Sequence, residues 1–108
     1  MSTSVTSVWD TPETATLSAV LAAITDETGM RNFLRDCMTE KEIIEISARL
    51  KAADMLLRSE KYTAIIRETK LSSRTVARIS DWLQNGTGGY QKALAQLHHG
   101  HLSPARAE

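Results

Sequence analysis

The chain has 108 residues, and its 13 Lys and Arg are balanced by 13 Asp and Glu, so its formal net charge is zero. That length supports one domain with one modest core. Neutrality excludes a protein that coats polyanions through bulk charge, so any nucleic-acid affinity must come from a local patch. Cys37 is the only cysteine, which excludes an intrachain disulfide and fits a reducing cytoplasm. No apolar run approaches membrane-spanning length, and the polar start MSTSVTSVWD is no signal peptide.

In chain order, residues 1–10 are rich in Ser and Thr and read as a loose N-terminus. Thr11-Pro12-Glu13 is a helix start: a hydroxyl cap, a proline in the first turn and an acid near the positive end of the dipole. Leu17, Val20, Leu21 and Ile24 give this first helix an apolar face, and Asp26–Gly29 breaks it. A second helix carries Met30, Phe33, Leu34 and Cys37 on one side, where Cys37 reads as a buried structural thiol. Thr39-Glu40-Lys41-Glu42 is a capping box that opens the longest helix. There Ile43, Ile46, Leu50, Ala53 and Leu57 recur at spacings of three and four, and Ile44, Ala48 and Met55 widen the apolar surface. Such a helix needs partners on more than one side.

A fourth helix over about 62–69 is followed by the turn Lys70-Leu71-Ser72, with Ser72 placed to cap a fifth helix over about 73–83. Val76, Ile79 and Leu83 face inward, and Trp82 reads as a core or dimer contact. Asn85-Gly86-Thr87-Gly88-Gly89 ends that helix. A sixth helix covers about 90–98, the run from His98 onward reads as a frayed tail, and no strand pattern is present. The domain is therefore expected over residues 11–98, with residues 99–108 as a tail. Several of these helices are too short to stand without tertiary support. Dimerisation, mainly through the first, third and sixth helices, is expected to complete the core.

The segment over about 62–83 carries the functional signal. A short helix, a tight turn and a second helix opened by hydroxyl residues is the form of a helix-turn-helix. Residues 61–78 hold five cations (Lys61, Arg67, Lys70, Arg74 and Arg78) against the single acid Glu68. Ser73, Arg74, Thr75 and Arg78 occupy the outer side at the start of the second helix. There, arginine can hold guanine bidentately and threonine can offer a methyl to thymine. Lys70 and Ser72 sit beside them, suited to phosphates.

The stretches FLRDCMTEKEI (residues 33–43), ISARLKAADMLL (46–57), YTAIIRETKLSSRTVARIS (62–80) and LQNGTGGY (83–90) resemble the Trp-repressor superfamily. The likeness runs from about Ser18 to Leu97. The Asn-x-Gly-x-Gly-Gly-Tyr ending is similar to that of the Trp-repressor-like proteins of the YerC/YecD type. The resemblance implies an all-α, six-helix, intertwined homodimer and a cytoplasmic, bacterial transcriptional regulator, most often a repressor. Two recognition helices would meet successive major grooves of double-stranded DNA, about 34 Å apart.

It also implies an effector pocket. Arg49 and Arg78 match the two arginines that contribute to L-tryptophan binding in the repressor itself. The residue after the second arginine is glycine in the repressor and Ile79 here, which would fill the space of the indole, so no response to tryptophan is expected. Two further departures from the family are Lys70, where glycine is frequent at the turn, and Ile66, where alanine is usual.

No other constellation supports chemistry. His98, His99 and His101 lack a carboxylate or cysteine to complete a metal set and read as polar tail. Glu45 and Arg49 form an i, i+4 pair on a solvated face. No nucleophile–base pair, phosphate loop or zinc spacing is present, so neither an enzyme nor a cofactor is expected. Two alternatives to a DNA-binding regulator stand beside it. One is a protein-interaction module that keeps the helix-turn-helix shape without reading DNA. The other is a repressor with a different small-molecule effector near Arg49.

Overall fold

The computed structural model describes residues 7–98. After a single 3-10 turn at Val8–Asp10 come six helices: α1 (Pro12–Ala23), α2 (Glu27–Cys37), α3 (Glu40–Leu57), α4 (Tyr62–Thr69), α5 (Ser73–Asn85) and α6 (Gly89–His98). No strand occurs among the described residues. The chain divides into two compact units, Met1–Ile43 and Ile44–Glu108.

The first unit is defined by its caps. Ser7 and Asp10 close a capping box around the 3-10 turn, with Ser7 N–H donating to Asp10 Oδ2 at 3.1 Å. Thr11 Oγ1 accepts from Thr14 N–H at 3.2 Å ahead of Pro12. Asp26 Oδ2 accepts from Gly29 N–H at 2.8 Å, so residues 27–29, read from sequence as part of a break, are the first turn of α2. A capping aspartate satisfies amide groups that a loop would leave to water. Thr39 and Glu42 form the expected box at the head of α3: Thr39 N–H reaches Glu42 Oε1 at 2.8 Å and Glu42 N–H reaches Thr39 Oγ1 at 3.1 Å.

What this unit lacks is a buried residue in α1 or α2. Leu17 and Val20 are exposed, and Leu21, Phe33 and Leu34 are only half-buried. Cys37 is exposed rather than buried: it is the last residue of α2, where the apolar stripe that carries it outruns its cover.

The second unit holds the core. Ala52, Ala53 and Met55 of α3 meet Ile65 of α4, Val76 and Ile79 of α5 and Leu94 of α6, with Leu56, Ile66, Leu71, Leu83 and Tyr90 packed around them. The buried side of α3 is therefore not the large-residue stripe. Of Ile46, Leu50, Ala53 and Leu57, only Ala53 is buried. Alanines let the short helices approach α3 closely, Met55 fills the core beside them, and Ile46, Leu50 and Leu57 are left outside.

Helix α3 ends in a Schellman turn. Ser59 adopts φ 64°, its N–H bonds the Leu56 carbonyl at 2.9 Å, and Glu60 N–H bonds the Met55 carbonyl at 3.0 Å. Two polar links fix neighbours: Lys51 Nζ to Glu68 Oε1 at 3.3 Å between α3 and α4, and Gln91 Nε2 to the Leu83 carbonyl at 2.6 Å between α6 and α5. His98 is not frayed. It closes α6, with Nε2 2.9 Å from Asp54 Oδ1. His99 and His101 lie outside the described residues.

Candidate nucleic-acid interface

Helices α4 and α5 with the turn between them form the helix-turn-helix. Ser72 is the N-cap of α5. Its Oγ accepts from Thr75 N–H at 3.1 Å and lies 3.1 Å from Thr75 Oγ1. The cap starts α5 at Ser73, and the helix continues to Asn85, two residues past the sequence expectation. Gly86 N–H bonds the Trp82 carbonyl at 2.8 Å and stops it.

The 3.6-residue period then sorts the side chains. Val76 and Ile79 are fully buried and anchor the helix. Arg74 and Arg78, one turn apart, point away from that anchor and are exposed, as are Lys70, Ser72 and Ser73, while Thr75 is half-buried beside the cap. All six residues expected at a DNA surface thus cluster on the turn and the first turns of α5. Among the described residues, no ion pair engages Lys61, Arg67, Lys70, Arg74 or Arg78. The one acid of this segment, Glu68, is drawn to Lys51 of α3, and Glu45 pairs with Arg49. The cations of the turn and α5 therefore keep their full donor capacity for a partner.

The turn itself is unusual. Lys70 holds φ 63° and ψ 14°, the left-handed conformation that glycine adopts without penalty. Ile66, the other departure from the family pattern, is accommodated at the edge of the core. Thr69 stands outside the pattern of exposed cations and hydroxyls that marks the other site residues. This residue is buried, donates from Oγ1 to the Ile65 carbonyl at 2.7 Å and accepts from Leu71 N–H at 3.3 Å. The available signal was a threonine at the last position of a helix, where its hydroxyl can bond back to i−4.

The residues matched to an effector pocket are dispersed in role. Ile79 is fully buried in the core. Arg49 Nη2 is held by Glu45 Oε2 at 2.7 Å, and its Nε is buried without a hydrogen-bond partner. Arg78 is exposed. An apolar groove of about 590 Å³ lies nearby, lined by Leu50, Trp82, Tyr90, Ala93 and the Gly86–Gly89 loop, and none of those three residues lines it.

No helix among the described residues is long and apolar enough to cross a membrane. No match to the chain was found among curated proteins. Two solved structures are similar in fold. A TrpR like protein from Eubacterium eligens ATCC 27750 is 27% identical with a TM-score of 0.77, over 83% of this chain and 93% of that one. A putative Trp repressor from Staphylococcus aureus is 25% identical with a TM-score of 0.75, over 82% of this chain and 88% of that one. The family model described as Trp repressor protein matches residues 13–98. A six-helix chain with a capped, cationic helix-turn-helix, matched by that model over most of its length, belongs to the Trp repressor family, a family of DNA-binding transcription regulators rather than of enzymes.

Proposed function

We propose that this protein is a sequence-specific repressor that binds a two-fold symmetric DNA site as a homodimer and does so without L-tryptophan. The observation that carries the reading is the state of α5. Its inner side is locked by Val76 and Ile79, and its outer side presents Arg74 and Arg78 exposed and unpaired among the described residues. Such a helix can enter a major groove with its guanidinium groups free to meet base edges. In this reading Ser73, Arg74, Thr75 and Arg78 face bases, and Lys70 and Ser72 hold phosphates. The acting domain spans residues 11–98, and its LQNGTGGY segment supports a place in the YerC/YecD-type branch.

The dimer is supported by what the fold leaves uncovered. Ile44 is 67% exposed and Trp82 42% exposed, and Ile46, Leu50 and Leu57 are exposed beside no cover of their own. Apolar surface on that scale marks an interaction face. A two-fold pair would place two copies of α5 about 34 Å apart, one DNA turn. The reading without L-tryptophan is supported by Ile79, which is fully buried at the position where the resemblance places a glycine in the repressor.

The test is a selection of genomic fragments on the purified protein at about 0.15 M salt, where nonspecific attraction is already partly screened. An enriched sequence with two symmetric halves is the expected result. A folded protein that enriches nothing would sink the reading and favour the protein-interaction module.

A further inference from the structure

The four residues 69–72 decide how the DNA-reading helix leaves α4, and one of them is held in a conformation its side chain disfavours. Lys70 is left-handed at φ 63°. A Cβ in that region crowds the neighbouring carbonyl, so a non-glycine residue stays there only where its surroundings over-determine the backbone. The surroundings here are specific. Lys70 N–H bonds the Ile66 carbonyl at 2.9 Å. Thr69 Oγ1 donates to the Ile65 carbonyl at 2.7 Å and accepts from Leu71 N–H at 3.3 Å. One hydroxyl thus ties the end of α4 to the residue after Lys70. Thr69 is the only polar residue buried among those described, at 8% exposure. A buried hydroxyl with both of its capacities used is an ordered part of the backbone network rather than a surface decoration.

We propose that Thr69 is the positioning residue of the reading helix: its hydroxyl clamps the turn across left-handed Lys70 and so fixes the angle at which α5 presents Arg74 and Arg78. The clamp lets a lysine occupy a position that glycine would fill without strain, and the turn thereby carries a cation next to the α5 cap. The consequence for DNA rests on the function proposed above, whereas the clamp itself is a property of the free protein.

The experiment compares Thr69→Val, Thr69→Ser, Lys70→Gly and the Thr69→Val/Lys70→Gly pair in the full chain. Residual dipolar couplings report the orientation of α5 against α4, and amide exchange reports Leu71. Thr69→Val removes the hydroxyl at nearly constant volume. It should reorient α5, speed Leu71 exchange roughly tenfold and weaken binding to the selected duplex roughly tenfold. Binding to a scrambled duplex should stay within about twofold, because phosphate attraction does not need a fixed helix angle. Thr69→Ser should restore all three. Lys70→Gly should shrink the loss of folding constant that Thr69→Val causes, because glycine holds the turn unaided.

An unchanged α5 orientation and Leu71 exchange in Thr69→Val would overturn the clamp. So would an equal cost of Thr69→Val with and without Lys70→Gly. Equal losses on the two duplexes would overturn its role in reading. If Thr69→Val does not fold, Lys70→Gly is expected to rescue it, and failure to rescue counts against the clamp. A wild-type protein that selects no site would sink the DNA-binding reading, while couplings and exchange still decide the clamp.

Discussion

Helices α1 and α2 and helices α4 and α5 are built from the same local devices, yet they end in opposite states. Side-chain caps open both helices of the first pair, at Thr11 and Asp26, and α5 of the second, at Ser72. Each has apolar residues at helical spacing. In α4 and α5 those residues close a core, with Ile65, Val76 and Ile79 fully buried. In α1 and α2 nothing is buried. Capping and propensity define where a helix lies, but most helical stability in proteins comes from packing an apolar face. The reading head carries its own packing within one chain. The N-terminal helices bury no residue within the described chain, which is the physical basis for proposing a dimer.

Substitutions can break this contrast, starting with the largest effect. Ile79→Ala empties a fully buried site in the reading head and should cost about 2–5 kcal/mol of unfolding free energy. Denaturant titration should give the same cost at low and high protein concentration once dimer dissociation is accounted for. Leu50→Glu, on the exposed side of α3, should abolish the dimer without removing the core of Ala52, Ala53, Met55 and Ile65. Sedimentation should show a monomer with retained helicity, and an intact dimer would count against the shared face. Arg74→Ala should cost about 1–3 kcal/mol on the selected site and little on scrambled DNA, as expected for a base contact. Thr39→Ala removes the capping box of α3 and should cost about 1 kcal/mol, read by thermal unfolding followed by circular dichroism. Lys70→Ala should weaken selected and scrambled DNA alike and reduce the salt slope of binding by about one, the signature of a phosphate contact.

How much of this was legible in the sequence depended on how local the cause was. The helix starts at Thr11, Thr39 and Ser72 stand where the hydroxyl caps predict, because a cap is decided within four residues. The bounds of α4 agree as well, although Lys61 at its N-cap makes no side-chain cap bond. The inner positions Val76 and Ile79 were readable because α5 has one unambiguous apolar side. The buried face of α3 was not. Its large residues form the more visible stripe, and only tertiary packing reveals that Ala52, Ala53 and Met55 are the ones enclosed. Cys37 misled in the same way, since periodicity reports a face and not whether anything covers it. Asp26 was read as part of a break when it is a cap, an ambiguity inherent to a residue that favours turns and helix starts alike. The six candidate DNA residues could be placed from spacing alone, whereas Thr69 required seeing both of its hydrogen bonds.

The central claim is that α5 reads DNA with Arg74 and Arg78. The most direct test is a salt-resolved titration of the selected duplex with the wild type and with the Arg74→Ala/Arg78→Ala variant, each checked for folding and for the number of chains bound. The predicted result is two wild-type chains per symmetric site, with affinity for that site falling in the variant to the level of scrambled DNA. A folded variant that binds the selected duplex as tightly as the wild type would contradict the assignment of α5 as the reading helix.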